Sequence, residues 1–146
     1  MSRTVLLLNG PNLNLLGTRE TEVYGTTTLD DIVAGIEAHA AQFDVTIEAY
    51  QSNIEGELID RLHAARGTVD GVVFNPGAFT HYSYALRDAI SATDLPVIET
   101  HLSNVHAREE FRHRTVLAAV CLGVVAGFGP DSYRVAFDAL VRHLTQ

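Results

Sequence analysis

The chain has 146 residues, 47% of them hydrophobic, and a formal net charge of −8 from 18 acidic against 10 basic side chains. That length fits one domain with a substantial core, and the acidic balance argues against broad nucleic-acid or anionic-membrane binding. Every basic residue is arginine, which excludes both a lysine Schiff base and a lysine-bearing P-loop.

In chain order, an apolar run at 4–9 predicts the first strand, which stops at the polar block Asn9-Gly10-Pro11-Asn12-Leu13-Asn14. Residues 18–27 follow without apolar periodicity. They hold Arg19, Glu20, Glu22 and Tyr24 near Gly17 and Gly25, and a loop of this size in a compact domain predicts a lid over a binding site. Helical spacing at 29–43, with Thr28 as N-cap and Asp31 three residues on, predicts the first long helix. A strand at 45–51 and a helix at 55–66, closed by Gly67, come next. Strands at 71–75, 96–100 and 122–127 then alternate with helices at 81–93, 105–114 and 131–144, the last entered through Pro130. Strict alternation predicts a parallel sheet covered on both faces by right-handed crossovers. No apolar run is long enough for a membrane span and no signal-peptide pattern opens the chain, so cytoplasmic residence is expected. Cys121 reads as a small core residue, and a lone cysteine excludes an internal disulfide.

The strand at 96–100 runs into a second polar block, Glu99-Thr100-His101-Leu102-Ser103-Asn104 through Arg112. In open α/β sheets the ligand crevice lies outside the carboxyl ends of the strands. Asn12, Tyr24, Asn75, His81, His101, Arg108 and Arg112 are therefore candidates at one sheet edge. On a helix at 105–114, Arg108 and Arg112 share a face and suit an anion, and the amides of Leu102 and Ser103 at its entrance suit a carboxylate. Glu99 lies on the same side of its strand as His101 and is placed to orient the imidazole, making the pair a general-acid candidate. His39, His63 and His143 fall within helices and read as surface residues. The His101 and His106 region has no recognisable metal-ligand spacing, and neither a Gly-x-Ser-x-Gly elbow nor a dinucleotide fingerprint is present.

Several motifs together carry a family resemblance: Asn9-Gly10-Pro11-Asn12-Leu13 with Leu16-Gly17 and Arg19-Glu20; Tyr24-Gly25; Gln51-Ser52-Asn53 with Glu55-Gly56; Asn75-Pro76-Gly77 with Thr80-His81; Ala85-Leu86-Arg87-Asp88-Ala89; and His101-Leu102-Ser103-Asn104 through Phe111-Arg112-His113. Over nearly its whole length the chain resembles type II 3-dehydroquinate dehydratase. The resemblance implies a flavodoxin-like three-layer α/β sandwich with a five-stranded parallel sheet in the order 2-1-3-4-5. It also implies a single catalytic domain over 1–146 with its lid at about 18–27, and a homododecamer built from trimers. The implied reaction is trans-elimination of water from 3-dehydroquinate through an enolate, giving 3-dehydroshikimate in the shikimate or quinate pathway, with no metal or organic cofactor.

The residue roles implied by the resemblance are specific. Tyr24 removes a proton from C2, and Arg19 lowers its pKa and stabilises the transition state. His101, backed by Glu99, protonates the departing C1 hydroxyl, while Asn12 holds a water near the enolate oxygen. Asn75, Leu102, Ser103, His81 and Arg112 bind the substrate's carboxylate and hydroxyls. Arg108 supports the lid and tyrosine, and Asp88 reaches into a neighbouring subunit's site. Thr21 stands where the family commonly has proline, Tyr82 and Tyr84 replace smaller residues, and Arg114-Thr115-Val116 replaces a His-Ser-Tyr run. The last two departures bear on subunit packing and substrate affinity. The alternative reading is a flavodoxin-like small-ligand binding module without catalysis. Retention of an acid, a base and an enolate-region polar group counts against it, since a module needs only binders.

Overall fold

Alternation along the first strand decides the layering. In the computed structural model, which describes residues 2–146 apart from the side chains of Val23 and Tyr24, β1 spans Arg3–Asn9. Val5 and Leu7 point into one apolar cluster, and Leu6 and Leu8 into the other. β2 (Val45–Gln51), β3 (Gly71–Asn75), β4 (Val97–His101) and β5 (Gly123–Ala126) complete a sheet in the order β2-β1-β3-β4-β5, every pairing parallel. Two helices, α2 (Leu29–Ala40) and α5 (Asp131–Leu144), cover the Val5 face through Ile32, Ile36, Phe137 and Leu140. The Leu6 face is covered by α3 (Glu55–Ala65) and α4 (Tyr84–Thr93), through Leu58, Leu62, Leu86 and Ile90. This is the flavodoxin-like order, as expected. Every residue of β3 and β4 is buried, which is why those strands read as unbroken apolar runs into which Asn75, Glu99 and His101 had to be fitted.

Most element boundaries follow local signals. Thr28 caps α2 in a complete capping box: its Oγ1 accepts from Asp31 N–H, and an Asp31 carboxylate oxygen accepts from Thr28 N–H, each at 3.1 Å. The helical pattern at 29–43 stops short, however. It tightens after Ala40 into a 3-10 turn, Ala41–Phe43, ended by Asp44 in the left-handed region. The helix expected from residue 81 begins at Tyr84, because Gly77–His81 forms its own 3-10 turn and Ser83 caps α4 by accepting from Leu86 N–H at 3.0 Å. The stretch at 18–27 contains one helical turn, α1 (Thr21–Tyr24), entered by Glu20 at positive φ and left at Gly25.

The helix expected at 105–114 is absent. Two 3-10 turns, Val105–Ala107 and Glu110–Arg112, replace it, separated by extended backbone at Arg108 and Glu109. No buried apolar stripe holds this segment as a helix, since Phe111 is 58% exposed. Side chains claim its backbone groups instead: Asn104 accepts from His106 N–H at 3.1 Å, and His113 Nε2 lies 3.1 Å from the Arg108 carbonyl. His39 is a second correction. It is buried, held by Asp138 at 2.6 Å and packed edge-on against Phe43 and Phe137, whereas His63 and His143 are exposed as expected. Among the described residues no helix is long and apolar enough to cross a membrane.

Candidate active site

The sheet order sets the site's position. β1 and β3 are neighbours, but the chain leaves them toward helices on opposite faces, so a crevice opens above their carboxyl ends. Its floor is a close backbone crossing. Gly10 N–H donates to the Asn75 carbonyl at 2.8 Å, and a Cβ on Gly10 would lie 2.6 Å from the Pro76 carbonyl oxygen. Only glycine admits that approach. Beneath it, the fully buried Tyr133 hydroxyl donates to Asn9 Oδ1 at 2.7 Å and accepts from Asn75 Nδ2 at 2.9 Å. Burial pushes the Tyr133 phenol well above its ordinary value, so the hydroxyl keeps its proton and this donor pattern. Asn75 Oδ1 accepts from Gly77 N–H at 3.1 Å, which leaves the amide's second hydrogen for the cleft.

β4 delivers the acid–base pair. Glu99 has no solvent exposure, and one of its carboxylate oxygens, Oε2, sits 2.5 Å from His101 Nε2. That contact commits Nε2 to Glu99 and leaves Nδ1 as the ring nitrogen for a ligand. Burial pushes the Glu99 carboxyl up, but the bond and charge of His101 and the hydroxyls of Thr80 and Thr115 together outweigh it and hold the carboxyl below its ordinary value. Thr80 and Thr115 were not singled out as site residues by sequence reasoning. They lie 19 and 16 positions from Glu99, so although Thr80 stands in the Thr80-His81 motif and Thr115 in the Arg114-Thr115-Val116 run, nothing local shows that either meets the carboxylate.

His81 and the arginines complete the wall. His81 Nδ1 is 2.7 Å from the Arg114 carbonyl, so Nδ1 carries the proton and Nε2 is left as an acceptor. Burial lowers the His81 pKa more than that carbonyl raises it, and the charges of His101 and Arg112 lower it further, which keeps the ring neutral. One cleft collects Asn12, Arg19, Asn75, His81, His101, Leu102, Ser103, Arg108 and Arg112, with no aspartate or glutamate among its described lining residues. Arg108 and Arg112 thus line a common cleft through two separate turns rather than one helix face. Arg108 donates to Ser103 Oγ at 3.3 Å, Arg112 donates from Nε to Glu109 at 3.0 Å, and Arg19 pairs with Glu20. In a protein of net charge −8, three guanidinium groups around one cleft make it suited to an anion. Asp88 is exposed on α4 and does not line this cleft, and the Tyr24 side chain lies outside the described residues. Among the described residues no three His, Cys, Asp or Glu side chains form a metal-binding group.

Residues 3–141 match the protein family described as Dehydroquinase class II. The chain belongs to that family. It is 58% identical over 137 residues to the 3-dehydroquinate dehydratase of Desulforudis audaxviator, covering 94% of this chain and 91% of the relative. It is 55% identical over 138 residues to the catabolic 3-dehydroquinase of Aspergillus clavatus, covering 94% and 92%. The crystal structure of type II dehydroquinase from Butyrivibrio crossotus superposes with a TM-score of 0.93 at 45% identity, covering 95% of this chain and 97% of that one.

Within this class II dehydroquinase, the unusual run Arg114-Thr115-Val116 meets the site through the Thr115 hydroxyl and through the backbone of the residues on either side of it. The Arg114 carbonyl accepts from His81, Val116 N–H donates to the Thr80 carbonyl at 2.7 Å, and the Val116 carbonyl accepts from Arg87 at 2.8 Å. Side chains at 114 and 116 can therefore vary while those bonds persist. Tyr82 and Tyr84 are 59% and 70% exposed, with Tyr82 resting edge-on against Phe79.

Proposed function

We propose that the cleft carries out the family's reaction as a hydro-lyase, removing water from 3-dehydroquinate by trans-elimination through an enolate to give 3-dehydroshikimate. One observation carries the assignment of the acid: the fully buried Glu99 carboxylate against His101, opening onto an arginine-lined cleft. In this reading His101 delivers a proton from Nδ1 to the departing C1 hydroxyl, while Glu99 stabilises the imidazolium. Tyr24 is the base at C2, and the positive charge of Arg19 favours its phenolate. Asn12 holds a water at the developing enolate oxygen. Asn75, the Leu102–Ser103 amides and Arg112 bind the substrate's carboxylate and hydroxyls, and His81 Nε2 accepts from a hydroxyl. Arg108 steadies the lid formed by residues 18–27, whose closure excludes water and strengthens these interactions.

The test is hydrogen exchange at C2 in deuterated water, beside an ultraviolet assay for the conjugated enone. Tyr24→Phe is expected to abolish both exchange and turnover, and His101→Ala to abolish turnover while retaining exchange. Normal exchange in purified Tyr24→Phe would assign the base to another residue.

The assembly belongs to the same proposal: a cytoplasmic homododecamer of trimers in which Asp88 of one subunit reaches the neighbouring site. Asp88 and Tyr84 share a face of α4, four residues apart, and both are exposed in the single chain. Asp88→Ala is expected to raise KM and loosen the trimer. A fully active wild-type monomer in native mass spectrometry at assay concentration would remove this role.

A further inference from the structure

We propose that Thr115 and Thr80 form a hydrogen-bond relay that positions Glu99 behind His101, making both threonines positioning residues for the elimination. The proposal rests on His101 being the acid, as assigned above.

The hydrogens can be counted. Each hydroxyl has one hydrogen to give. Thr115 Oγ1 accepts the N–H groups of Leu117 and Ala118, at 3.0 and 3.2 Å. Its own hydrogen faces two acceptors, Thr80 Oγ1 at 2.7 Å and Glu99 Oε1 at 3.0 Å. Thr80 Oγ1 lies 2.5 Å from Glu99 Oε2, and a carboxylate can only accept there, so Thr80's hydrogen goes to Glu99. Thr80's hydrogen is thus committed to Glu99. Thr115, whose lone pairs take the two backbone amides, gives its hydrogen to Thr80 Oγ1 or to Glu99 Oε1, so that either way its donation ends on the carboxylate, through Thr80 or directly. Such a chain polarises cooperatively, each donor strengthening the next.

The relay ends on the same oxygen, Oε2, that faces His101. Thr80 therefore bears directly on both the charge and the aim of the atom that holds the imidazole. Among the described residues, the other titratable groups acting on or sensing Glu99 are His81, on the Gly77–His81 turn, and Cys121, just before β5. Cys121 stays a neutral thiol, since burial and the Glu99 charge push it up to about 12. Neither replaces a hydroxyl donor at Oε2. Without Thr80's hydroxyl the carboxylate is less well stabilised in its ionised form, so it takes up a proton at higher pH and releases its hold on His101.

The experiment compares wild type, Thr80→Val, Thr80→Ser, Thr115→Val and His101→Ala for kcat, KM, the low-pH limb of kcat and C2 exchange. Thr80→Val is expected to lower kcat about tenfold, the scale of one lost hydrogen bond to a buried charge. KM should stay within about twofold, because the substrate is not touched. The low-pH limb should move upward, C2 exchange should continue, and Thr80→Ser should restore the wild-type profile. Thr115→Val should move kcat and the limb in the same direction but less, and it carries the test alone should Thr80→Val not fold. Valine variants with wild-type kcat and an unmoved limb overturn the relay, as does an equal loss of exchange and turnover without a shift of the limb. Full turnover by His101→Ala would instead overturn the assignment of the acid.

Discussion

Tyr133 shows how one hydroxyl can support a site it does not enter. It joins Asn9 at the end of β1 to Asn75 at the end of β3, and no water reaches it. Tyr133→Phe keeps the packing but takes away the partner of Asn9 Oδ1 and of one Asn75 N–H, at a cost of about 1–3 kcal/mol. Asn75 should then lose its fixed orientation, so chemical denaturation should show the lost stability and steady-state kinetics a raised KM. Glu99 makes a second prediction at this scale. Its folded pKa lies below the ordinary 4.5, so its contribution to stability is complete above that pH and is lost as pH falls through the lower folded value. Glu99→Gln lacks this titration. Urea midpoints between about pH 6 and about pH 3 should therefore fall more steeply for wild type than for the variant. Parallel slopes would contradict the assignment.

Among the elements, strand-to-loop junctions carry tighter demands than the helices. A Cβ at Gly10 would meet the Pro76 carbonyl at 2.6 Å, a backbone atom that cannot move without shifting the turn holding His81. A Cβ at Gly71 would come within 2.9 Å of Leu140 Cδ1 and 3.0 Å of its Cδ2, buried side-chain atoms rather than backbone. Gly10→Ala should therefore cost about 1–3 kcal/mol and lower activity, as overpacking against rigid neighbours does. Gly71→Ala should cost less and leave activity near wild type; equal effects in thermal melts and assays would refute the distinction. The elements best read from sequence are those with both periodicity and a stop signal, such as α2 with its Thr28 cap and α5 after Pro130. Residues 105–114 failed that reading because charged spacing imitates a helix face, while no core contact exists to hold one.

For the whole molecule, composition is itself a mechanistic statement. With no lysine in the chain, elimination cannot pass through a lysine imine. Borohydride added with substrate should cause no inactivation above background, and intact mass spectrometry should find no reduced adduct; a stoichiometric adduct would refute this. The sheet order was also within reach of the sequence, through motifs spread over its length. The apolar run of each strand, its stop at a polar stretch such as those holding Asn12, Asn75 and His101, and the pairing of Glu99 with His101 two residues on all depend on neighbours in the chain, so the sequence by itself determined them. Other features needed the tertiary structure. Tyr133 reaches Asn9 across 124 positions, Thr80 and Thr115 converge on Glu99 from different loops, and His39 is buried against α5 by its contact with Asp138. The crossovers decide which side chains meet, and burial decides what each meeting does to a charge or a proton; neither is encoded in any local run of residues.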